Sequence, residues 1–384
     1  MAANTLTGQI NNIYEALDIV SREMIGFIPA VSKNSSAEMA AKDQIIRIPV
    51  APATGLTSIS PANVSPDTGE QTIGYTDMTI SKAYMAPVKW NGEEQKSLEG
   101  RAGNIMRDQF AQAFRALSNQ VEKDLGSLYT KASRAYGASG TTPFGSSLDD
   151  AAQIKKILDD NGCPDDGQRS LIINTAAGVK LRGQAGLTAN YAAGTTETLR
   201  RGVLLPIFGM DIRESAQVAA HTKGTATGFD CTAVEPISEV TIACDGSNSG
   251  TILAGDVVTN TTLADGIKYV VNSGSTLTTA ASGNFIINEP GLVAATTTSD
   301  EWTIQDSYRA NLAFHKSAIQ LITRAPLMPQ GGDAADDVMI VTDPVSGISF
   351  QIALYRQYRQ VHFEVGLAWG YAAIKPAHIC ILLG

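Results

Sequence analysis

The sequence predicts an α+β chain in which a small all-β unit interrupts a mixed α/β body. Three observations predict it. An apolar stripe at steps of three and four runs through 97–136 with no proline, the mark of one long helix. A strand-like run at 45–50 and another at 84–90 flank a long stretch rich in Pro, Gly, Ser and Thr. Between 223 and 307 charged residues thin out, and short β-like runs recur between turn residues.

The elements follow in chain order. Leu6, Ile10, Ile13, Leu17, Val20 and Met24 form one helical stripe, stopped by Gly26 and Pro29. Such an amphipathic arm must dock on something, a neighbouring subunit included. Ile45 to Val50 read as a strand. Residues 51–71 carry Pro52, Gly55, Pro61, Pro66 and Gly69 and little that would build a core; a stretch of that length is functional or disordered. Tyr84, Ala86, Val88 and Trp90 alternate as in a half-buried strand. Strand, long polar loop and strand together make an extended β-arm. In the long helix, Met106, Phe110, Phe114, Leu117, Val121, Leu125 and Leu128 are read as core, not as a cofactor box. Its length is far above the average of roughly 11–12 residues and suits a spine. A second helix is expected over 147–162, with Ser147 as N-cap and Asp150 three residues on. Leu171-Ile172-Ile173, the run 203–207 and Met210-Asp211-Ile212 read as strands.

Within the β-rich stretch the strand candidates are 240–242, 256–258, 267–271, 285–287 and 301–304, spaced as in a small barrel or sandwich. After it, 307–313 is expected to be helical, and 317–323, 338–341 and 348–355 to be strands. Residues 361–383 add strands broken by a short helix or turn at Trp369-Gly370. The chain thus divides into 1–45, 46–95, 96–137, 138–222, 223–308 and 309–384.

Composition narrows the function classes. The chain has 384 residues, 43% of them hydrophobic, so a sizeable core is available; mean hydropathy is −0.02. Charged residues make up only 17%, below the roughly 25% of an average soluble domain. Gly, Ala, Ser, Thr and Asn take their place, which suits a surface covered by other chains and also suits an adhesin. The net charge of −9 argues against a dedicated nucleic-acid reader. Cys163, Cys231, Cys244 and Cys380 form no C-x-x-C pair and no disulfide framework, so reduced thiols are expected. Met1-Ala2-Ala3-Asn4 opens no signal peptide, and no apolar run is long enough to cross a membrane.

No motif for catalysis or for a cofactor emerges. His221, His315, His362 and His378 lack zinc-ligand spacing; His378 with Cys380 is at most a half-site, so no metal is expected. Phosphate-loop, nucleophile-elbow and dinucleotide fingerprints are missing. Residues 245–250 faintly resemble a calcium loop without its spacing and read as a surface turn. Asp333, Asp336, Asp337 and Asp343 read as a solvated face or as intersubunit ion pairs.

In this order the elements resemble the major capsid (coat) proteins of tailed bacteriophages with the Hong Kong ninety-seven fold. Among these the chain is most similar to the coat protein of Salmonella phage P-twenty-two and its relatives. The resemblance rests on Gly8-Gln9-Ile10 before the first helix, on 72–89 followed by 97–133, and on 209–215 followed by 222–228. It continues through 311–318, 342–347 and 366–383. It implies an N-arm (1–45), an extended β-loop (46–95), a spine helix (96–137), peripheral and axial domains (138–222 and 309–384) and an inserted β-domain (223–308). It implies a non-enzymatic subunit forming hexamers and pentamers in an icosahedral shell around double-stranded DNA held without sequence specificity. Scaffolding and portal proteins would be partners, with no membrane. Assembly would take place in the bacterial cytoplasm and the product would be the virion. Loops 245–250 and 260–266, with Asp245, Asn248, Asn260 and Asp265, are the candidates for reaching a neighbouring capsomer. Glu15, Asp18, Arg22 and Glu23 either meet scaffold or neighbours or form a solvated helix face. Lys82 and Lys89 lie on the arm, and no isopeptide crosslink is expected from them. Three other readings stay open: an encapsulin-like nanocompartment shell, an enzyme with an unrecognised site, and a tail or adhesion protein.

Overall fold

The computed structural model describes residues 10–21, 25–50, 74–97, 102–188, 197–245, 250–263, 266–277, 283–329, 331–344 and 346–384. The chain opens with α1 (Ile10–Ser21). Its stripe of Ile13, Leu17 and Val20 is buried on the long helix of the same chain, so the arm finds its partner internally. Then come α2 (Phe27–Ala30), β1 (Ser32–Ala40), β2 (Ile45–Val50), β3 (Gly74–Thr79), β4 (Lys82–Asn91) and α3 (Gly92–Ser97). The helix α4 (Ala102–Gly126) buries Met106, Phe110, Phe114, Leu117, Val121 and Leu125, the stripe read from sequence.

The expected helix over 97–136 is nevertheless shorter. After Gly126 the backbone tightens into a 3-10 turn (Ser127–Lys131) and then enters β5 (Arg134–Tyr136). Leu125 to Leu128 is a step of three, which a 3-10 turn satisfies as well as an α-helix does. Gly126 sits where a Cβ would lie 3.0 Å from the Gln217 carbonyl.

Next are α5 (Asp149–Asp160), β6 (Arg169–Ile173), α6 (Thr175–Arg182), α7 (Ala185–Thr188), α8 (Glu197–Arg201), β7 (Met210–Glu214) and β8 (Ala220–His221). The Ser147 hydroxyl accepts from the Asp149 N–H at 3.3 Å, as an N-cap does, but Asp150 does not complete a capping box. The Asp150 carboxylate instead accepts from the Phe144 amide at 2.7 Å and ties down the preceding loop. The run 203–207 is not a strand either. Pro206 removes a donor, and Phe208 and Gly209, both at positive φ, fold Ile207 back on Met210.

The rest of the chain is β: β9 (Phe229–Asp230), β10 (Thr241–Cys244), β11 (Gly250–Thr251), β12 (Val257–Asn260), β13 (Lys268–Ser273), β14 (Thr276–Leu277), β15 (Gly283–Ile287) and β16 (Glu301–Ile304). They are followed by β17 (Tyr308–His315), β18 (Ile319–Pro326), β19 (Ala335–Thr342), β20 (Ser349–Gln357), β21 (Gln360–Ala373) and β22 (Ile379–Leu383). The helix expected over 307–313 is thus the strand β17. It pairs with β22 on one edge and β6 on the other, and this tertiary pairing overrides the local Ala and Leu preference for helix. Its Asn311 amide is buried between the two neighbours, accepting from the Asn174 N–H at 2.8 Å and donating to the Leu382 carbonyl at 3.0 Å.

Two sheets organise the body. In the first, β21 is the axis: β20 and then β18 follow one edge, and β4 runs along the other from Asn91 to Lys82. β19 extends the β20 side, and β1 pairs in parallel with β18. The turn expected at Trp369-Gly370 is absent, and β21 runs straight through. Gly370 is needed because a Cβ there would lie 2.3 Å from the Thr79 carbonyl, where the backbone leaving β3 crosses the strand.

The second sheet runs β7-β6-β17-β22-β5-β13-β12-β16-β9. Past β5 it curls. β13 also pairs with β15, β15 with β10, and Cys231, next to β9, bridges Cys244 of β10. The ring β9-β16-β12-β13-β15-β10 therefore closes on itself as a small barrel, one of the two forms expected from the strand spacing. Its interior, Phe229, Ile242, Phe285 and Trp302 among others, is an apolar cluster drawn wholly from 226–304.

Two carboxylates near the end of α4 join these parts. Glu122 is 1% exposed. It accepts from the N–H groups of Gly26, Phe27 and Ile28 at 3.3, 3.1 and 2.7 Å, and from the Ser215 hydroxyl at 3.0 Å. Burial pushes its carboxyl pKa up against these four donors. Asp124 accepts from Trp369 Nε1 at 2.9 Å, Lys82 Nζ at 2.6 Å and Gln120 Nε2 at 2.9 Å. We expect Glu122→Ala to strip four buried donors of their acceptor and to cost about 3 kcal/mol or more in urea unfolding. Alanine at the exposed Glu93 of α3 changes the same midpoint by less than about 0.5 kcal/mol.

Candidate interaction surfaces

Among the described residues, antiparallel β2 and β3 pair only with each other, from Ile45 opposite Thr79 to Val50 opposite Gly74. Their root is anchored, because Ile46 packs with Ala40, Ile80 and Ala368, and Met78 is buried. On its opposite face the ribbon is exposed. Ile45 and Tyr75 are 57% and 58% exposed. The Arg47 guanidinium lies 4.5 Å above the Tyr75 ring and 3.2 Å from Asp77. A two-stranded ribbon with both edges open is marginal alone. The expected long loop 51–71 falls outside the described residues. On the adjoining β4, Tyr84 and Met85 are half exposed, Tyr84 standing edge-on to Trp369 at 5.4 Å.

Of the arm residues singled out by sequence, Glu15 pairs with Arg107 of α4 at 2.8 Å and so braces its own chain. Asp18 lies on the exposed side of α1, near Tyr14 and Ile19. Arg22 and Glu23 lie outside the described residues. Among the loop candidates, Asp245 is half-buried and accepts from the Asp230 N–H at 3.2 Å. Asn260 is buried, which removes it from the surface. Its amide donates to Asp300 at 3.2 Å and accepts from Thr262 and Leu263 N–H, fixing the turn after β12. Asn248 and Asp265 lie outside the described residues.

Polar clusters that sequence reading missed sit at the junctions. His221 bonds Asp256 through Nε2 at 2.8 Å and the Tyr129 hydroxyl through Nδ1 at 3.0 Å, and it packs on Tyr308. Asp256, fully buried, also accepts from the Gly224 and Leu253 N–H groups. This chain of hydrogen bonds locks the base of α4 to the entrance of the barrel. Arg182 clasps Glu214 with both terminal nitrogens and donates to the Gly202 carbonyl, bracing α6 against β7. Gly178 makes room for that carboxylate. The partners lie far apart in sequence, so no spacing rule flags them. Glu122 and Asp124 left a trace, each a charge beside a stripe residue, Val121 and Leu125.

Two neighbouring clefts, of 510 and 360 Å3, share Tyr136, Gly266 and Lys268. Lys268 is committed to the Gly137 carbonyl and Asp150 to the Phe144 amide. His378 and Cys380 are not joined in a metal cluster, since no group of three candidate ligands occurs among the described residues. No helix among them is long and apolar enough to cross a membrane.

No protein-family model matches the sequence, and no curated protein matches it either. Solved structures similar to this chain include one from Mycobacterium phage Che8, with 14% identity over 89% of this chain and 85% of that one and a TM-score of 0.44. The capsid structure of the cyanophage P-SCSP1u has 11% identity, coverage of 92% and 86%, and a TM-score of 0.47. A virus-like particle from Pyrococcus furiosus has 10% identity, coverage of 97% and 99%, and a TM-score of 0.41.

Burial holds the imidazoles of His362 and His378 below their usual range. The unfolded chain therefore takes up these protons first. Stability present above about pH 6.5 is lost as pH falls through the lower folded values. Replacing both by Gln flattens that acid-side slope, read by urea midpoints between about pH 7 and 5.

Proposed function

We propose that this chain is the shell-forming subunit of a tailed-bacteriophage particle, a coat protein of the Hong Kong ninety-seven type. The observation that carries the reading is the β2–β3 ribbon. It is anchored at its root, neither outer edge pairs with another strand among the described residues, and its exposed face carries Ile45, Pro49 and Tyr75 around the Arg47–Asp77 pair. A ribbon of this kind gains stability by lying on another subunit. The in-order sequence resemblance gives the same reading, and within it the branch of phage P-twenty-two. The low charge content suits a surface occupied by neighbours. The net charge of −9 suits a container from which double-stranded DNA must be released.

In this reading 1–45 is the arm and 46–95 the extended loop. Residues 96–137 form the spine, 138–222 and 309–384 the peripheral and axial body, and 223–308 the inserted domain. Asp245 and the turn after Asn260 face a neighbouring capsomer, and Asp18 faces scaffold or a neighbouring subunit. Hexamers and pentamers assemble with scaffolding and portal proteins in the bacterial cytoplasm and end in the virion.

The test is electron microscopy of the chain expressed alone and beside its genomic neighbours. Closed shells, spirals or capsomer-sized rings are expected, and a monodisperse monomer or dimer under both conditions defeats the proposal. Shells filled with an enzyme and lacking DNA favour a nanocompartment. The paired variant Ile45→Ser, Tyr75→Ser shifts urea unfolding by less than about 0.5 kcal/mol, both sites being exposed. In sedimentation velocity the same variant is expected to lose the assembled species.

A further inference from the structure

The barrel has a seam. Five of its six junctions are strand ladders, and the sixth is the single bridge between Cys231 and Cys244. The Thr232 N–H donates to the Ala243 carbonyl at 3.0 Å and the Asp245 N–H to the Asp230 carbonyl at 2.9 Å. These bonds flank the cysteines, so the two form a non-hydrogen-bonded antiparallel pair. In such a pair the Cα atoms lie about 4.5 Å apart and both side chains leave the same face. Disulfides span Cα separations of about 4.4–6.8 Å. Both thiols are free and face the barrel interior. Trp302 Nε1 donates to Cys231 Sγ at 3.0 Å, and Cys244 Sγ donates to the Gly283 carbonyl at 3.2 Å.

We propose that Cys231 and Cys244 are a latent disulfide that closes the barrel covalently when the chain meets a small-molecule disulfide such as oxidised glutathione. One cysteine thiolate attacks the small disulfide, forming a mixed disulfide and releasing one small thiol. The second thiolate attacks the mixed disulfide, forms the Cys231–Cys244 bond and releases the other small thiol. The two protein protons end on the two released thiols, and the small disulfide is the oxidant. Burial sets the pace. It raises both thiol pKa values, that of Cys244 to about 12, so exchange proceeds through local opening of the seam. Cys163 and Cys380 serve as an internal control, because they share another apolar cluster but no strand pairing.

The experiment uses the full chain, purified with reductant and then incubated with oxidised glutathione. Remaining thiols are alkylated after denaturation. Cleavage after Glu239 separates the two cysteines, so a bond between them appears as crosslinked peptides. The expected result is a Cys231–Cys244 crosslink with Cys163 and Cys380 alkylated. The melting temperature rises by several degrees and returns when reductant is added. Cys231→Ala and Cys244→Ala each lose that rise. The mapping on the unmodified sequence stands even if a variant fails to fold. Four alkylated cysteines after prolonged incubation, glutathione retained on either residue, or a Cys163–Cys380 bond in place of this one overturns the proposal.

Discussion

Everything in the body is hung on the last turns of α4. A helix of that length offers one apolar stripe, and a stripe alone fixes neither direction nor register. Glu122 and Asp124 supply both. The first carboxylate gathers three consecutive backbone N–H groups at the start of α2 and the hydroxyl after β7. The second holds the indole of β21 and the ammonium at the start of β4. Burying a carboxylate is expensive unless its lone pairs are filled. Here the donors come from four separate segments, so the charge is tolerated only when all of them have arrived. Packing brings the segments close, and the carboxylates select one arrangement of them.

The same economy recurs where segments cross. Gly370 lets the backbone after β3 pass over β21, and Gly178 lets Glu214 lie on α6. Asn311 bonds both neighbours of β17. The His221–Asp256 pair, with Tyr129, closes the join between helix base and barrel. These polar groups sit at joins between units, whereas the Asn260–Asp300 bond is buried within the barrel itself.

Much of this was legible in the sequence, for reasons that also explain the misses. The stripes of α1 and α4 and the alternation of β4 are periodic signals carried by the side chains that pack, so they were found. The barrel strands were legible because turns punctuate them. Apart from 203–207, undone by its own Pro206 and turn, and the 3-10 end of α4, the misses share one cause, which is that the deciding partner is remote. Residues 307–313 look helical until β6 and β22 are placed beside them. Trp369-Gly370 looks like a turn until the strand crossing is seen. Asn260 looks like a loop-tip residue until Asp300 is set opposite it. The arm was only half legible: 45–50 is one strand of it, but its partner is Gly74–Thr79, and the expected second strand, 84–90, lies on β21 instead. The buried carboxylates, whose donors come from residues 26–28, 82, 215 and 369, had no signature at any fixed spacing.

The pairing pattern also dictates an order of events on the ribosome. β1 pairs with β18, β4 with β21 and β5 with β22, so these three early strands find sheet partners in the last quarter of the chain. While synthesis passes through the middle, α1 and β4 can already lie on α4, but the cover that Phe350 and Phe363 give to Phe114 and Phe110 has not been made. The barrel, whose ring closes among its own strands, completes as soon as β16 emerges. The nascent chain therefore carries a finished barrel beside a body that must wait for its final strand. Non-local closure of that kind is slow and leaves apolar surface open to misassociation. That interval is when a folding helper would matter most.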